Sequence, residues 1–254
     1  MASLGLIREL FLEDSALDTA VSRALLERVA AGELPETLRL ARPGAMVTFA
    51  KQDAVSAGYA AAARAARERG FEAVLRLAGG RAAVFHEGTV AIAHAAPDAD
   101  PRPHIHERFR SAAALVERAL RRLGVDARVG EVPGEYCPGG YSVNARGRVK
   151  LAGLGQRLIR GGAFLGGVIV AAEADRLREV LVPVYAELGL SWDPATAGAV
   201  EDEAPGASRE HVVEALLAEY SGLYELEEAE LDRDTLALAS GYAGEHRAPE
   251  EALR

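Results

Sequence analysis

Short breaks at Arg146-Gly147 and Gly161-Gly162 separate three runs of strand-forming residues, Tyr141–Ala145, Arg148–Leu158 and Ala163–Ala171. Such tight turns join antiparallel strands, because a parallel crossover needs a dozen or more residues. Further upstream, Thr37–Arg42 and Ala45–Ala50 flank Pro43-Gly44, and Glu72–Ala78 is broken by Gly79-Gly80-Arg81. Ala82–Phe85 and Thr89–Ala95 read as the arms of a hairpin turning at Glu87-Gly88. Helical periodicity lies between these runs: Leu17, Val21, Ala24, Leu25 and Val29 share one face of a helix capped by Asp14 or Ser15 and stopped at Gly32. Further helices are expected over residues 54–69, 106–123, 175–188, 208–220 and 232–243. The pattern predicts an α+β (mixed α/β) fold with largely antiparallel sheets flanked by helices. Residues 1–190 form the expected main domain. Residues 191–254 form an acidic segment, expected to be mobile over Asp193–Ala207, and a helical appendix packed on the same domain.

With 49% hydrophobic and 26% charged residues, a chain of 254 residues has enough apolar matter for a sizeable core. No apolar run approaches the roughly 20 residues of a membrane span. The first nine residues carry neither a basic leader nor a long apolar stretch, so a cytoplasmic location is expected. One cysteine excludes an internal disulfide and a cysteine-cluster zinc site. The net charge of −9 is uneven: residues 1–170 carry 23 basic against 18 acidic side chains, and residues 171–254 carry 6 against 20. No basic stripe interleaved with aromatics appears, which argues against a nucleic-acid surface. The acidic tail is either a solubilising surface or the counterpart of a basic front that meets an acidic protein.

Three stations carry candidate chemistry. Cys137 sits in Gly134-Glu135-Tyr136-Cys137-Pro138-Gly139-Gly140-Tyr141, a bend in which backbone N–H groups can converge on a bound atom. It is either a buried, inert thiol or a nucleophile, and a nucleophile needs a cationic or N–H-rich neighbourhood to lower a pKa near ~8.5. Lys150 is the candidate neighbour, one of only two lysines, on a strand expected to run back antiparallel towards the cysteine loop. It is otherwise a lysine guarding a strand edge. The third station, Arg76-Leu77-Ala78-Gly79-Gly80-Arg81-Ala82-Ala83-Val84-Phe85-His86, ends a strand in two glycines flanked by arginines able to hold a carbonyl or phosphate oxygen. It also reads as a simple bend, and His86 as a proton carrier, a specificity residue or a structural histidine. The histidine spacings match no metal site, and no P-loop occurs.

At these residues the chain resembles the lipoate/octanoate protein transferase and ligase family, which shares its catalytic fold with biotin protein ligases. Arg76–His86 resembles the family's Arg-x-x-Gly-Gly-x-Ala-Val-x-His segment beside the acyl chain and its activated carbonyl. Lys150–Gln156 resembles its Lys-x-x-Gly-x-x-Gln segment, and Tyr136-Cys137-Pro138-Gly139 resembles the thiol loop of the cysteine-dependent octanoyltransferases and amidotransferases. The front end, Leu17–Gln52, has the family's order too. The resemblance implies an octanoyl or lipoyl acyltransferase in which Cys137 carries the acyl group as a thioester and passes it to a lysine of a lipoyl domain. Lys150 would then steady the acyl carbonyl, and Arg76, Gly79, Gly80, Arg81, His86, Gly139, Gly153 and Gln156 would bind the substrate, with Leu77 and Val84 lining the acyl tunnel. It implies no cofactor and no metal. The donor would be an acyl carrier protein or an acylated H protein, the acceptor an apo lipoyl domain. Arg64, Arg67, Arg69, Arg118, Arg121 and Arg122 form a candidate docking face for such acidic partners. Two alternatives stand beside this reading: an ATP-dependent lipoate ligase forming an acyl-adenylate, and a non-catalytic acyl-binding protein. After His86 the chain lacks the ligases' Asn-bearing continuation, and it lacks their long carboxyl-terminal domain, which favours the transferase.

Overall fold

A computed structural model describes residues 1–9 and 11–249. In chain order the elements are β1 (Ala2–Ile7), α1 (Ser15–Ala30), β2 (Thr37–Ala41), β3 (Met46–Phe49), α2 (Lys51–Ala54), α3 (Tyr59–Arg67), β4 (Glu72–Leu75), β5 (Ala83–Phe85), β6 (Thr89–Pro97) and α4 (Ile105–Arg122). They continue as β7 (Ala127–Val129), β8 (Val143–Ala145), β9 (Val149–Ile159), β10 (Gly162–Val170), α5 (Ala174–Glu187), α6 (Val200–Glu203), α7 (Arg209–Ser221), β11 (Tyr224–Ala229) and α8 (Arg233–Tyr242). The strands form an eight-stranded sheet in the order β11-β1-β2-β6-β10-β9-β8-β7 and a three-stranded sheet in the order β4-β3-β5. The run β2-β6-β10-β9-β8-β7 is antiparallel throughout, as the tight turns require. Parallel pairs occur where β1 meets β2 and β11, and where β3 meets β4.

Strand alternation places two environments on the large sheet. Leu38, Leu40, Val90 and Ile169 join Leu115, Val116, Leu120 and Leu216 of α4 and α7 in one apolar cluster. The opposite face meets α1, through Leu26 and Val29 against Ala95 and Phe164. Helix α1 begins where the Asp14 carboxylate accepts the Leu17 N–H at 3.0 Å, and it ends before Gly32, whose φ of +74° only glycine adopts without strain. A third cluster packs α3 and α5 on the small sheet.

Four expectations are corrected. β5 and β6 are not a hairpin: β5 pairs with β3 in the small sheet and β6 with β2 and β10 in the large one, so His86–Gly88 carries the chain between sheets. Residues 54–69 are not one helix, because the chain turns at Gly58, where an added Cβ would run into the Glu187 carbonyl at the end of α5. Asp193–Ala207 is ordered rather than mobile. Asp193 caps a short turn over Pro194–Thr196, Ala197, Ala199 and Val200 are buried, and the chain runs parallel beside β9, where Gly198 donates to the Lys150 carbonyl at 3.1 Å. Finally, residues after 190 supply a strand as well as helices, since β11 pairs with β1 in a register that sets Leu226 beside Leu4. No helix among the described residues is long and apolar enough to cross a membrane.

Candidate active site

Cys137 lies in the loop from β7 to β8, with φ at +43° and a proline behind it. A non-glycine residue in that region, before proline, holds a strained backbone that only surrounding bonds maintain. Those bonds are present. The buried Glu135 carboxylate braces the loop: Oε1 accepts from Lys150 Nζ at 3.0 Å, from Ser142 Oγ at 2.5 Å and from the Gly139 N–H at 3.2 Å, and Oε2 accepts from the Val132 N–H at 3.0 Å. On the other side the Tyr185 hydroxyl of α5 accepts the Cys137 N–H at 2.8 Å and donates to the Ala82 carbonyl at 2.9 Å.

Lys150 reaches the loop from β9 because β8 and β9 pair antiparallel across the Arg146-Gly147 turn. It is 1% exposed. Its ammonium donates to the carbonyls of Tyr136 at 3.0 Å and Cys137 at 2.8 Å as well as to Glu135. An ammonium has three donors, so every one is engaged, and none is left for a substrate carbonyl. The lysine therefore fastens the thiol loop and sets a positive charge beneath it.

The thiol faces the Gly79-Gly80-Arg81 loop of the small sheet. Its Sγ accepts the Arg81 N–H at 3.1 Å and lies 3.6 Å from Arg76 Nη2, which also holds the carbonyls of Gly79 and Arg81. Gly80, with φ at +110°, lets this loop approach: a Cβ there would lie 2.9 Å from Sγ and against the Arg76 guanidinium. Burial raises the thiol pKa, but the charges of Arg76 and Lys150 and the Arg81 N–H outweigh it, and the net shift is downward. The thiolate is the favoured nucleophile in such surroundings.

Between the two sheets the thiol opens onto a cavity of about 580 Å³, with Met46, Phe85, Ile92, Phe109, Leu154 and Phe164 among its apolar walls. Cys137, Lys150, Arg76, Gly79, Gly80, Gly139, Gly153 and Gln156 all border it. Gln156 is pinned there, donating to the Ile105 carbonyl at 2.8 Å and accepting from Arg108 Nε at 3.0 Å, which ties β9 to α4. Gly155 lets β9 run along the Gly-Gly loop, where a Cβ would sit 3.0 Å from that of Ala78. Leu77 lines the cavity, but Val84 points into the α3–α5 cluster, since its neighbours Ala83 and Phe85 take the cavity face.

Three further expectations change here. Arg81 contributes its backbone N–H, while its side chain turns away to Asp53 at 3.2 Å. His86 is fully buried in the crossing between sheets and is not among the residues that border the cavity. Its Nδ1 accepts the Gly88 N–H at 3.0 Å, and burial, aided by the Arg176 charge, lowers its pKa to about 4. The six arginines offered as a docking face are largely committed: Arg118 and Arg122 both bind Glu219, Arg121 binds Glu117 and the Ala127 carbonyl, and Arg67 and Arg69 hold backbone carbonyls. Sequence reading passed over Glu135 and Tyr185. Glu135 stands two residues before the cysteine and was open to view, whereas Tyr185, 48 positions downstream, reaches the loop only through the packing of α5.

Among curated relatives, an octanoyl-[GcvH]:protein N-octanoyltransferase of Geobacillus kaustophilus is 31% identical over 123 residues, 48% of this chain and 43% of that protein. The protein of that name from Bacillus velezensis is 27% identical over 177 residues, 70% of this chain and 61% of the relative. The chain thus spans about half the length of the curated relatives it matches. Among solved structures, a Thermoplasma acidophilum lipoate protein ligase with bound lipoic acid superposes with a TM-score of 0.76 at 19% identity, over 96% of this chain and 95% of the other. A lipoate-protein ligase A bound with ATP gives 0.72 at 19% identity, over 96% and 94%. These last likenesses concern the fold. Residues 14–220, which hold the thiol loop, Lys150 and the whole cavity wall, match the lipoyl protein ligase A/B catalytic domain, and the chain belongs to that family.

Proposed function

We propose that this chain is an octanoyltransferase that moves an acyl group from the lysine of an H protein, through Cys137, to a lysine of a lipoyl domain. The single observation that carries the reading is the thiol itself, held in a strained left-handed turn between the Arg81 N–H and the Arg76 guanidinium at the mouth of an apolar cavity. The names of the curated relatives support the same donor.

The Sγ thiolate attacks the carbonyl carbon of the octanoyl amide. The carbon–nitrogen bond breaks, the donor lysine leaves as an amine carrying the proton the thiol gave up, and an acyl thioester remains on Cys137. The amine of the acceptor lysine then attacks that thioester, forming the new amide and returning the thiol. One amide replaces another, so no ATP is consumed. Arg76 is the cation that the cavity offers to the developing oxyanion, and loss of such a donor commonly lowers the rate about 10²–10³-fold. Glu135 and Lys150 hold the loop for it. The lipoyl group, with the same carboxyl-bearing chain, is the second acyl group this cavity takes.

The test uses octanoylated H protein and an apo lipoyl domain, without ATP. Intact mass should show an octanoyl adduct on the enzyme that hydroxylamine removes, and then on the lipoyl domain. Cys137→Ala should carry no adduct and transfer nothing. Transfer that requires ATP and free octanoate, with Cys137→Ala still active, would establish a ligase instead.

A further inference from the structure

The large sheet turns a row of small residues towards the cavity: Ala41, Ala91, Ala93, Gly153, Gly155 and Gly166. They stand in register, Ala41 opposite Ala91 and Gly166 opposite Gly155. The row crosses β2, β6, β10 and β9, three strand spacings and so roughly 14 Å. Cys137 stands at the β9 end, where Lys150 holds its carbonyl. Arg39 of β2 stands at the other end, on the cavity wall with Asp18 and Ser22 of α1.

This far end is polar. Arg39 is 2% exposed. Its Nη2 donates to Asp18 Oδ1 at 2.6 Å and to the Glu9 carbonyl at 2.9 Å, and its Nη1 donates to Ser22 Oγ at 3.1 Å and the Asp18 carbonyl at 3.2 Å. Its buried Nε has no partner among the described residues. The guanidinium is already closed off from water and held by four hydrogen bonds, so an alkyl chain that reached it could go further only by displacing it and breaking those bonds.

We propose that Arg39, held by Asp18 and Ser22, is the stop that sets the upper length of the acyl chain this site accepts. The proposal rests on the transferase reading and deepens it. At about 1.2 Å of advance per bond in an extended chain, an octanoyl group on Sγ reaches roughly 10 Å and ends short of Arg39. A dodecanoyl group reaches about 14 Å and meets the guanidinium. Each methylene denied an apolar neighbour forfeits about fourfold in affinity, so the cut-off is steep.

The experiment compares H proteins carrying hexanoyl, octanoyl, decanoyl or dodecanoyl on their lysine, following the acyl adduct on Cys137 by intact mass. In a parallel arm, the rise in melting temperature is measured with free octanoic and dodecanoic acids. For the parent protein the adduct rate should hold from octanoyl to decanoyl and fall on the order of tenfold from decanoyl to dodecanoyl, where the last methylenes meet the guanidinium. Arg39→Met should narrow that ratio to within about twofold. Because Arg39 also holds Glu9 and α1, a second variant guards against misfolding: Ala93→Leu, directly across from Arg39 in the β2–β6 register, should move the optimum from octanoyl to hexanoyl. An unchanged ratio in folded Arg39→Met, or an unchanged optimum in Ala93→Leu, overturns the stop. If no chain of any length forms an adduct, the transferase reading fails and the free acids decide the stop alone. Stabilisation of the parent by octanoic acid only, and of Arg39→Met by both acids, supports it. Equal stabilisation of the parent by both overturns it.

Discussion

The sulfur of Cys137 has two cations and one N–H within reach, and their balance against burial lowers its pKa. This makes a prediction about pH. Alkylation of the protein by iodoacetamide should rise with a midpoint below the ~8.5 of a free cysteine. Arg76→Met should move the midpoint up, because the guanidinium is the leading lowering influence, and at a pH below both midpoints the alkylation rate should drop about tenfold for each unit of that rise. A midpoint that stays put would show that the charge of Lys150, or the Arg81 N–H, does the lowering by itself. Gly80 belongs to the same scale: with a side chain there, the loop that carries the N–H could not stand against the sulfur. Both residues were visible in the sequence as types, an isolated cysteine and a glycine pair. That one would press on the other was not, since 57 positions separate them.

The thiol loop is an element without regular secondary structure, and it persists because Ser142 just before β8, Lys150 of β9 and Tyr185 of α5 supply bonds in place of the ladder it lacks. Tyr185 is the most distant of them. Tyr185→Phe keeps the ring in its apolar cluster but leaves the Cys137 N–H without its acceptor, a change expected to lower stability by about 1–3 kcal/mol. Urea denaturation would measure it, and an unaltered midpoint would mean that the turn stands without the tyrosine. At this scale strand and helix patterns were legible wherever a period ran long enough, as in α1, α4, β9 and β10. They failed at β1 and β11. In β11 the sequence Tyr-Glu-Leu-Glu-Glu-Ala reads as acidic surface, and its Leu226 finds a core only when β1 lies beside it.

At the scale of the whole molecule, β11, from the last fifth of the sequence, pairs with the first strand, β1, and covers its edge of the large sheet. A bare β1 would present a row of unpaired backbone groups, a template for pairing with another chain. Leu226→Pro removes a donor and a packed side chain from β11, so it should lower the melting temperature and bring on concentration-dependent association in sedimentation. A variant that melts and sediments like the parent would show that β1 needs no cover. The same scale produces the cavity. It lies between two sheets, and the hairpin expected at Glu87-Gly88 is instead the crossing that sets them apart. Charge at this scale is partly paired within the chain: five of the six arginines proposed for docking have intramolecular partners, while Arg118, Arg121 and Arg122 stay about half exposed.

Local chemistry written along the chain determined the antiparallel run of strands, the capped helices and the three stations that carry the candidate chemistry, because turn length, periodicity and residue type act over a few neighbours. Tertiary structure alone decided that Lys150 turns inward to Glu135 and the loop carbonyls, that His86 lies buried between sheets, and that Arg39 lies buried on the cavity wall. A buried charge goes where its partners are, and those partners come from elements the sequence holds far apart.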